Sequence, residues 1–360
     1  MTKLGVLFSV LGVGAGCIPA FAQKQLPNII VMLSDDQGWG DLGFTGNTFV
    51  QTPNIDRIAH EGTILENFYV CPVSSPTRAE FLTGRYHVRS GVNSTTGGGE
   101  RFNLGEKTIA EYFREAGYAT SLFGKWHSGT QYPYHPNARG FEEFYGFCSG
   151  HWGNYWNPVL EHNGEIISGE GFIIDDLTDK ALDYIRDHKE HPFFMFLSYN
   201  TPHSPMQVPD SWWNRVKDRT LSQRATFPEQ EDTTFTKAAL ALAENLDWNI
   251  GRVLSLLHSL DLEQETIVIY FSDNGPNSFR WNGGMKGRKG STDEGGVRSP
   301  FCIRWPGHIR KGAVETQLSG AIDLIPTLLG LAGIEYTPLR KLDGIDWGQR
   351  LLDEKAPAID

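Results

Sequence analysis

Asp35-Asp36, Lys125-Trp126-His127, Asp273-Asn274 and, after Asn200-Thr201-Pro202, His203 each follow a short apolar run in this 360-residue chain. Those runs occupy residues 28–33, 119–123, 266–271 and 193–197. Asp35, Asp36, Asp273 and Asn274 together offer several oxygen ligands and three negative charges, the set a hard cation such as calcium or magnesium takes. A single Asp pair after a strand more simply caps the next turn, but two pairs closing two separate runs point to a metal. Lys125 and His127 stand two residues apart on an extended segment, so their side chains share a face. A cation beside an imidazole suits an anionic substrate and proton transfer; an exposed strand end with a solvated lysine fits the same residues. His203, set between Pro202 and Pro205, reads by itself as a surface-loop histidine.

Side chains this far apart in sequence can meet only if regular elements carry them. The four apolar runs read as buried strands. Amphipathic stretches at 54–60, 108–116, 177–187, 236–260 and 321–331 read as helices, the first opened by Thr52-Pro53 and the second stopped by Gly117. Strand alternating with helix predicts an α/β fold, a large mainly parallel sheet covered by helices on both faces. In such sheets ligands gather at the carboxyl ends of the strands, which is where the polar residues fall. Residues 130–170 mix Tyr, Trp, His, Gly and Asn without periodicity and are expected to form long surface loops.

Composition narrows the function further. A net charge of −11 argues against a nucleic-acid partner, which would require a basic face. Lys3, the apolar residues 4–18 and Ala20-Phe21-Ala22 read as an export signal over residues 1–22, cleaved after Ala22. Gly14 stands where a lipoprotein signal built on Cys17 would carry a bulky aliphatic residue. No later run reaches the roughly eighteen apolar residues of a membrane span. The expected mature protein is thus exported, to the periplasm or beyond a bacterial cell. Cys71, Cys148 and Cys302 are too widely spaced for a disulfide framework or a zinc motif and read as buried small hydrophobes.

The longest informative string is Cys71-Pro72-Val73-Ser74-Ser75-Pro76-Thr77-Arg78, followed by Leu82-Thr83-Gly84-Arg85. It resembles the signature of the type I, formylglycine-dependent sulfatases in their Ser form, within the alkaline phosphatase-like superfamily. The resemblance runs from about residue 27 to 344. It includes Pro27-Asn28-Ile29, Asp35-Asp36, Gly40-Asp41, Thr52-Pro53-Asn54-Ile55-Asp56, Gly124-Lys125-Trp126-His127, Thr201-Pro202-His203 and Ser272-Asp273-Asn274-Gly275. Lys289-Gly290-Ser291-Thr292-Asp293-Glu294-Gly295-Gly296-Val297-Arg298 completes it.

The resemblance implies that Ser74 is oxidised to formylglycine (3-oxoalanine) by an anaerobic-type maturating enzyme, and that its hydrated aldehyde attacks sulfur. It implies calcium, with magnesium as the lesser alternative, held by Asp35, Asp36, Asp273, Asn274 and the modified Ser74. Arg78, Lys125 and Lys289 would neutralise the sulfate oxygens, His203 would protonate the leaving alcohol, and His127 would deprotonate the second hydroxyl. Spacing to Glu294-Gly295-Gly296 favours Lys289 over Lys286. Asp293 stands where the family often has an aromatic residue. The family's smaller C-terminal antiparallel subdomain is expected to be missing or truncated, giving a catalytic domain at 23–344 and an extension at 345–360. Export together with the aromatic and amide mixture around His151, Trp152, Asn154 and Tyr155 predicts a sulfated carbohydrate substrate, with Arg280 and Trp281 as further contacts. The same aromatics could instead anchor loops. Competing readings are a phosphoester or phosphonate hydrolase of the same superfamily, and a non-catalytic binder of sulfated glycans that keeps an unmodified serine.

Overall fold

The computed structural model describes residues 1–2 and 26–359, so the body of the predicted export signal, with Cys17 and its cleavage site, lies outside the described residues. Among the described residues no helix is long and apolar enough to cross a membrane. The strands in chain order are β1 (Asn28–Ser34), β2 (Thr63–Leu65), β3 (Phe68–Tyr69), β4 (Ala119–Lys125), β5 (Glu143–Phe147) and β6 (Val159–His162). They continue with β7 (Glu165–Ser168), β8 (Phe193–Ser198), β9 (Thr266–Ser272), β10 (Phe301–Arg304), β11 (Ala313–Glu315) and β12 (Ser319–Gly320). The helices are α1 (Pro53–Glu61), α2 (Ser74–Thr83), α3 (His87–Ser90), α4 (Ile109–Glu115) and α5 (Ile173–Asp187). After them come α6 (Asp210–Val216), α7 (Thr233–Ser259), α8 (Glu294–Val297), α9 (Leu324–Ala332) and α10 (Gly348–Leu352).

Ten strands form one sheet in the order β11-β2-β10-β9-β1-β8-β4-β5-β6-β7. Its centre, β9-β1-β8-β4-β5, is parallel, and antiparallel pairs flank it where β10 meets β9 and β6 meets β5. Alternate residues of each central strand enter opposite cores, as the strand period of two dictates. Ile29, Val31, Phe194, Phe196, Ile267 and Ile269 pack with Phe81 of α2, Phe113 of α4 and Leu328 of α9. Ile30, Met32, Phe193, Met195 and Val268 face the other way, onto Ile58 of α1, Leu177 of α5 and Ile250 of α7. Each such side chain contributes roughly 1.5–3 kcal/mol on burial. The α/β architecture with helices on both faces is therefore as the sequence predicts.

Local chemistry sets several boundaries. Asp232 caps α7 by accepting from the backbone of Thr234 and Phe235 at 2.9 and 3.0 Å, and Thr108 with Glu111 forms a capping box on α4. Helix α2 is buried on all sides and stops at Gly84, whose φ of 64° suits glycine. The four predicted strands and five predicted helices are all present, with ends displaced by a few residues.

Two expectations require correction. Residues 130–170 are not simply loops: they contain β5, β6 and β7. The signal was hidden because Gly146 interrupts β5, while β6 and β7 lie at the sheet edge, where little apolar area is buried and no apolar run is needed. His127 is not on the extended segment with Lys125, since β4 ends at Lys125 and His127 has a φ of 63°. Beyond residue 344 the chain returns to the main body, with Trp347 and Leu351 buried in the core beneath α9.

Candidate active site

Four adjacent strands, β9, β1, β8 and β4, end at one edge of the sheet, and neighbouring strands lie only about 4.8 Å apart. Asp273 and Asn274 leave β9, Asp35 and Asp36 leave β1, Asn200 and His203 follow β8, and Lys125 closes β4. Helix α2 approaches this edge with Ser74 as its first residue. Val73, Ser74, Thr95, Thr96, Lys125, His127, His151, His203 and Lys289 are among the residues lining a cleft of about 380 Å³.

Arg78, one helical turn after Ser74, organises the floor. Its Nε donates to Ser74 Oγ at 2.9 Å and to Asp273 Oδ2 at 3.2 Å, and its Nη2 donates to the same carboxylate at 3.0 Å. Its Nη1 donates to Ser198 Oγ at 2.6 Å and to the Lys125 carbonyl at 3.2 Å. Lys125 Nζ donates to Asp35 Oδ2 at 2.6 Å, and Lys289 Nζ lies 2.6 Å from Asp36 Oδ1. Of the two rival lysines, Lys289 is the one that reaches the site; Lys286 pairs with Asp293 at 3.3 Å on the surface.

Burial pushes the Asp35 carboxyl up, but Lys125 and the other basic groups around it, Arg78 and Lys289, outweigh it and hold the group well below the usual range. Asp273 moves the opposite way, raised by burial and by the neighbouring Asp35 charge. Burial, reinforced by the Lys125 ammonium, pushes His127 down to about 3 and keeps its imidazole neutral. Its tautomer follows from its partners. His127 Nε2 faces the Thr95 carbonyl at 2.9 Å and must donate to it, so Nδ1, 3.1 Å from Ser74 Oγ, carries the lone pair. His203 Nδ1 similarly donates to the Ser204 carbonyl at 2.8 Å, leaving Nε2 toward Asp36 Oδ2 at 3.6 Å.

The donor set fits a hard divalent cation. Asp35 Oδ1 and Asn274 Oδ1 are buried without a hydrogen-bond partner, an arrangement costly unless a ligand completes it. Asp36 bends back at a φ of 64° and accepts from Asn274 Nδ2 at 2.9 Å, while its own N–H donates to Asp273 Oδ1 at 3.2 Å. Three carboxylates (Asp35, Asp36, Asp273) face three cations (Arg78, Lys125, Lys289), so a divalent ion would leave the cleft positive toward an anionic ester.

The six additional contact residues divide. His151 lines the cleft, its ring 5.3 Å from that of His203. Asn154 is exposed and accepts from the Trp156 N–H at 3.3 Å. Tyr155, Trp152 and Arg280 are structural. The Tyr155 ring is fully buried and its hydroxyl donates to the His203 carbonyl at 2.6 Å, while Trp152 stacks on Phe147. Arg280 is buried against Asp41 at 2.7 Å and donates to the Asp36 carbonyl at 2.9 Å, and Trp281 lines a separate crevice with Asn47 and Phe49. Aromatic and amide composition alone could not separate loop anchors from ligand contacts. Residues not foreseen include Ser198, at the end of an already recognised strand, and Thr95, whose contribution is a carbonyl that no side-chain pattern reveals. A larger cleft of about 690 Å³ between α5 and β4–β7 shares no residue with this site. Glu142, Glu143, Glu170, Asp183 and Asp187 make its wall acidic, unsuited to an anion.

A serine-bearing helix start beside buried cations at the carboxyl edge of a parallel sheet is an arrangement suited to anionic esters. The chain belongs to the sulfatase family, whose model matches residues 27–334, and the enzyme is a sulfuric ester hydrolase. It is 32% identical over 377 residues to N-acetylgalactosamine-6-sulfatase of Sus scrofa, an alignment covering 95% of this chain and 68% of that one. It is 29% identical over 425 residues to steryl-sulfatase of Mus musculus, covering 91% and 65%. Among solved structures, Ps i-CgsB in complex with k-i-k-neocarrahexaose superposes with a TM-score of 0.80 at 32% identity, covering 90% of this chain and 76% of that one.

Proposed function

We propose that the enzyme hydrolyses sulfate esters of carbohydrates through formylglycine derived from Ser74. The observation that carries the mechanism is the contact of Ser74 Oγ with both Arg78 Nε and His127 Nδ1 above the Asp35, Asp36, Asp273 and Asn274 set. Oxidation of Ser74 to the aldehyde, the work of an anaerobic-type maturating enzyme, followed by hydration places two hydroxyls where one now stands. One hydroxyl gives up its proton to solvent in the cleft and attacks sulfur as the bond from sulfur to the alcohol oxygen breaks, and His203 Nε2 delivers the proton that oxygen needs. Arg78, Lys125 and Lys289 hold the sulfonate oxygens. His127 Nδ1 then takes the proton of the remaining hydroxyl, the aldehyde re-forms, and sulfate departs. Water restores the hydrate. An unmodified serine would be left as a stable sulfate ester.

Calcium, held by Asp35, Asp36, Asp273, Asn274 and the modified residue 74, would supply positive charge at the reacting oxygens. The carbohydrate assignment rests on the open polar cleft beside His151 and on similarity to a relative named for an amino-sugar sulfate and a structure solved with an oligosaccharide. Residues 23–344 constitute the proposed exported catalytic unit. The test is peptide mass spectrometry over residues 71–78 together with rates on sulfated sugars, a steroid sulfate, an aryl sulfate and an aryl phosphate. Loss of two hydrogens at Ser74 and turnover of a sulfated sugar are expected. Full activity with unmodified serine would overturn the nucleophile, turnover confined to the steroid and aryl sulfates the substrate class, and preference for phosphate the ester.

A further inference from the structure

A second group of metal-binding side chains lies behind the nucleophile helix. The donor atoms of Cys71, Glu80 and His87 all fall within 4.8 Å of one another. Cys71 and Glu80 are buried, and His87 is half-buried at the start of α3. A thiol, a carboxyl and an imidazole give one sulfur, one oxygen and one nitrogen donor, a set suited to zinc-like ions and unlike the all-oxygen preference of calcium. Tetrahedral zinc with bonds of roughly 2.0–2.3 Å would take these three as protein ligands and leave a fourth position for water.

The surroundings of His87 supply an independent observation. Its Nδ1 lies 3.0 Å from the Val92 carbonyl, to which it can only donate, so Nε2 keeps the lone pair. Metal-ligating histidines are oriented by such a hydrogen bond to a carbonyl. The His87 backbone N–H also donates to Glu80 Oε1 at 3.2 Å, fixing the carboxyl beside the ring. The other mixed trio of the described residues, His135, Cys148 and Glu161, is arranged oppositely. There His135 Nδ1 accepts from the Asn137 N–H at 3.3 Å, so Nε2 bears the proton and donates to Glu161. That trio is satisfied as a hydrogen-bonded group.

We propose that Cys71, Glu80 and His87 form a second metal site for a zinc-class divalent ion, separate from the oxygen-rich site at Ser74. Binding exchanges the thiol proton for the ion, forming a sulfur–metal bond and releasing one proton to solvent. The ion would fasten three pieces of chain: the segment three residues before Ser74, the body of α2, and the turn into α3. It serves as a clamp on the nucleophile helix and takes no part in the chemistry.

Cobalt(II) added to the chelator-stripped full-length protein tests this directly, since a thiolate ligand produces sulfur-to-cobalt charge-transfer absorption. A single equivalent showing that band and displaced by zinc is expected. The band should vanish in Cys71→Ser and persist in Cys148→Ser and in Asp35→Ala. Absence of a thiolate band in the wild type would overturn the site, whatever the variants do. So would a band that survives Cys71→Ser or is lost with Asp35→Ala. If Cys71→Ser fails to fold, His87→Gln takes its place, with at least a tenfold loss of cobalt affinity expected and unchanged affinity overturning the proposal.

Discussion

Each guanidinium nitrogen of Arg78 has a partner inside the protein, and the Arg78–Asp273 pair is wholly buried. Breaking such a pair leaves an uncompensated charge, at a cost of about 3–5 kcal/mol. Arg78→Ala is therefore expected to unfold at markedly lower denaturant, and adding Asp273→Asn should recover part of that loss; no recovery in the double variant would argue against the pair. Gly150 bears on the neighbouring histidine. A Cβ there would sit 2.1 Å from His127 Nε2, on a ring already pinned between Thr95 and Ser74. Gly150→Ala should lower kcat about a hundredfold by displacing the proposed base, His127, roughly 1 Å, with little change in melting temperature. Unchanged turnover would show that the ring is free to shift. That Ser74, Arg78, Lys125, His127, His203 and Lys289 converge on one edge of the sheet was legible because each lies in a motif or at a strand end, while the roles given to them stay part of the proposal. Thr95 and Gly150 were not, because one contributes a carbonyl and the other the lack of a side chain.

Helix α1 begins at Pro53 after Thr52, whose hydroxyl makes no capping bond. Its first N–H groups are satisfied from another element: Asp247 of α7 accepts from the Asn54 and Ile55 backbones at 2.9 and 2.8 Å. Asp247→Ala is expected to cost about 1–3 kcal/mol, the penalty of orphaned buried donors, measured by chemical denaturation. Burial pushes the Asp247 carboxyl from 3.8 up to about 7. The native state then holds a proton that the unfolded chain has released, so this contribution is fully present below 3.8 and is lost as pH rises toward about 7. Asp247→Asn should flatten that decline; an identical pH profile in both proteins would refute it. Such caps across elements explain why helix existence was readable and helix starts were less so. Thr52-Pro53 marks where α1 can begin, while the group that secures it lies in α7. The missed strands β6 and β7, at the outer end of the sheet, have the same origin, since pairing there is decided by what lies alongside and not by a run of apolar residues.

At the scale of the whole molecule, β1 and β9 are neighbours at the centre of the sheet, and the loops leaving them present Asp35, Asp36, Asp273 and Asn274. A divalent ion bound there would tie both loops together and oppose the mutual repulsion of their carboxylates. Calcium at a hundred times its dissociation constant should stabilise the native state by about 2.7 kcal/mol, read as a rise in melting temperature. The increment should shrink with magnesium and disappear in Asp35→Ala. A melting temperature indifferent to calcium and chelator would refute this site. The parallel arrangement that brings the four strand ends together was predictable from alternating strand and helix. Their adjacency in the order β9-β1-β8-β4 was not, because strand order is fixed by packing across both cores.

Ser74 is 2% exposed, its helix is enclosed on all sides, and the walls of its cleft come from residues as late as Lys289. On the proposed chemistry, the enzyme that oxidises this serine cannot reach it in the finished protein. Conversion must therefore win a race against folding. The decisive window opens when residues 71–78 emerge and closes when α2 docks on the sheet. The yield of competent enzyme is then a ratio of two rates, and a chain that folds too quickly would be stable, correctly shaped and permanently inert.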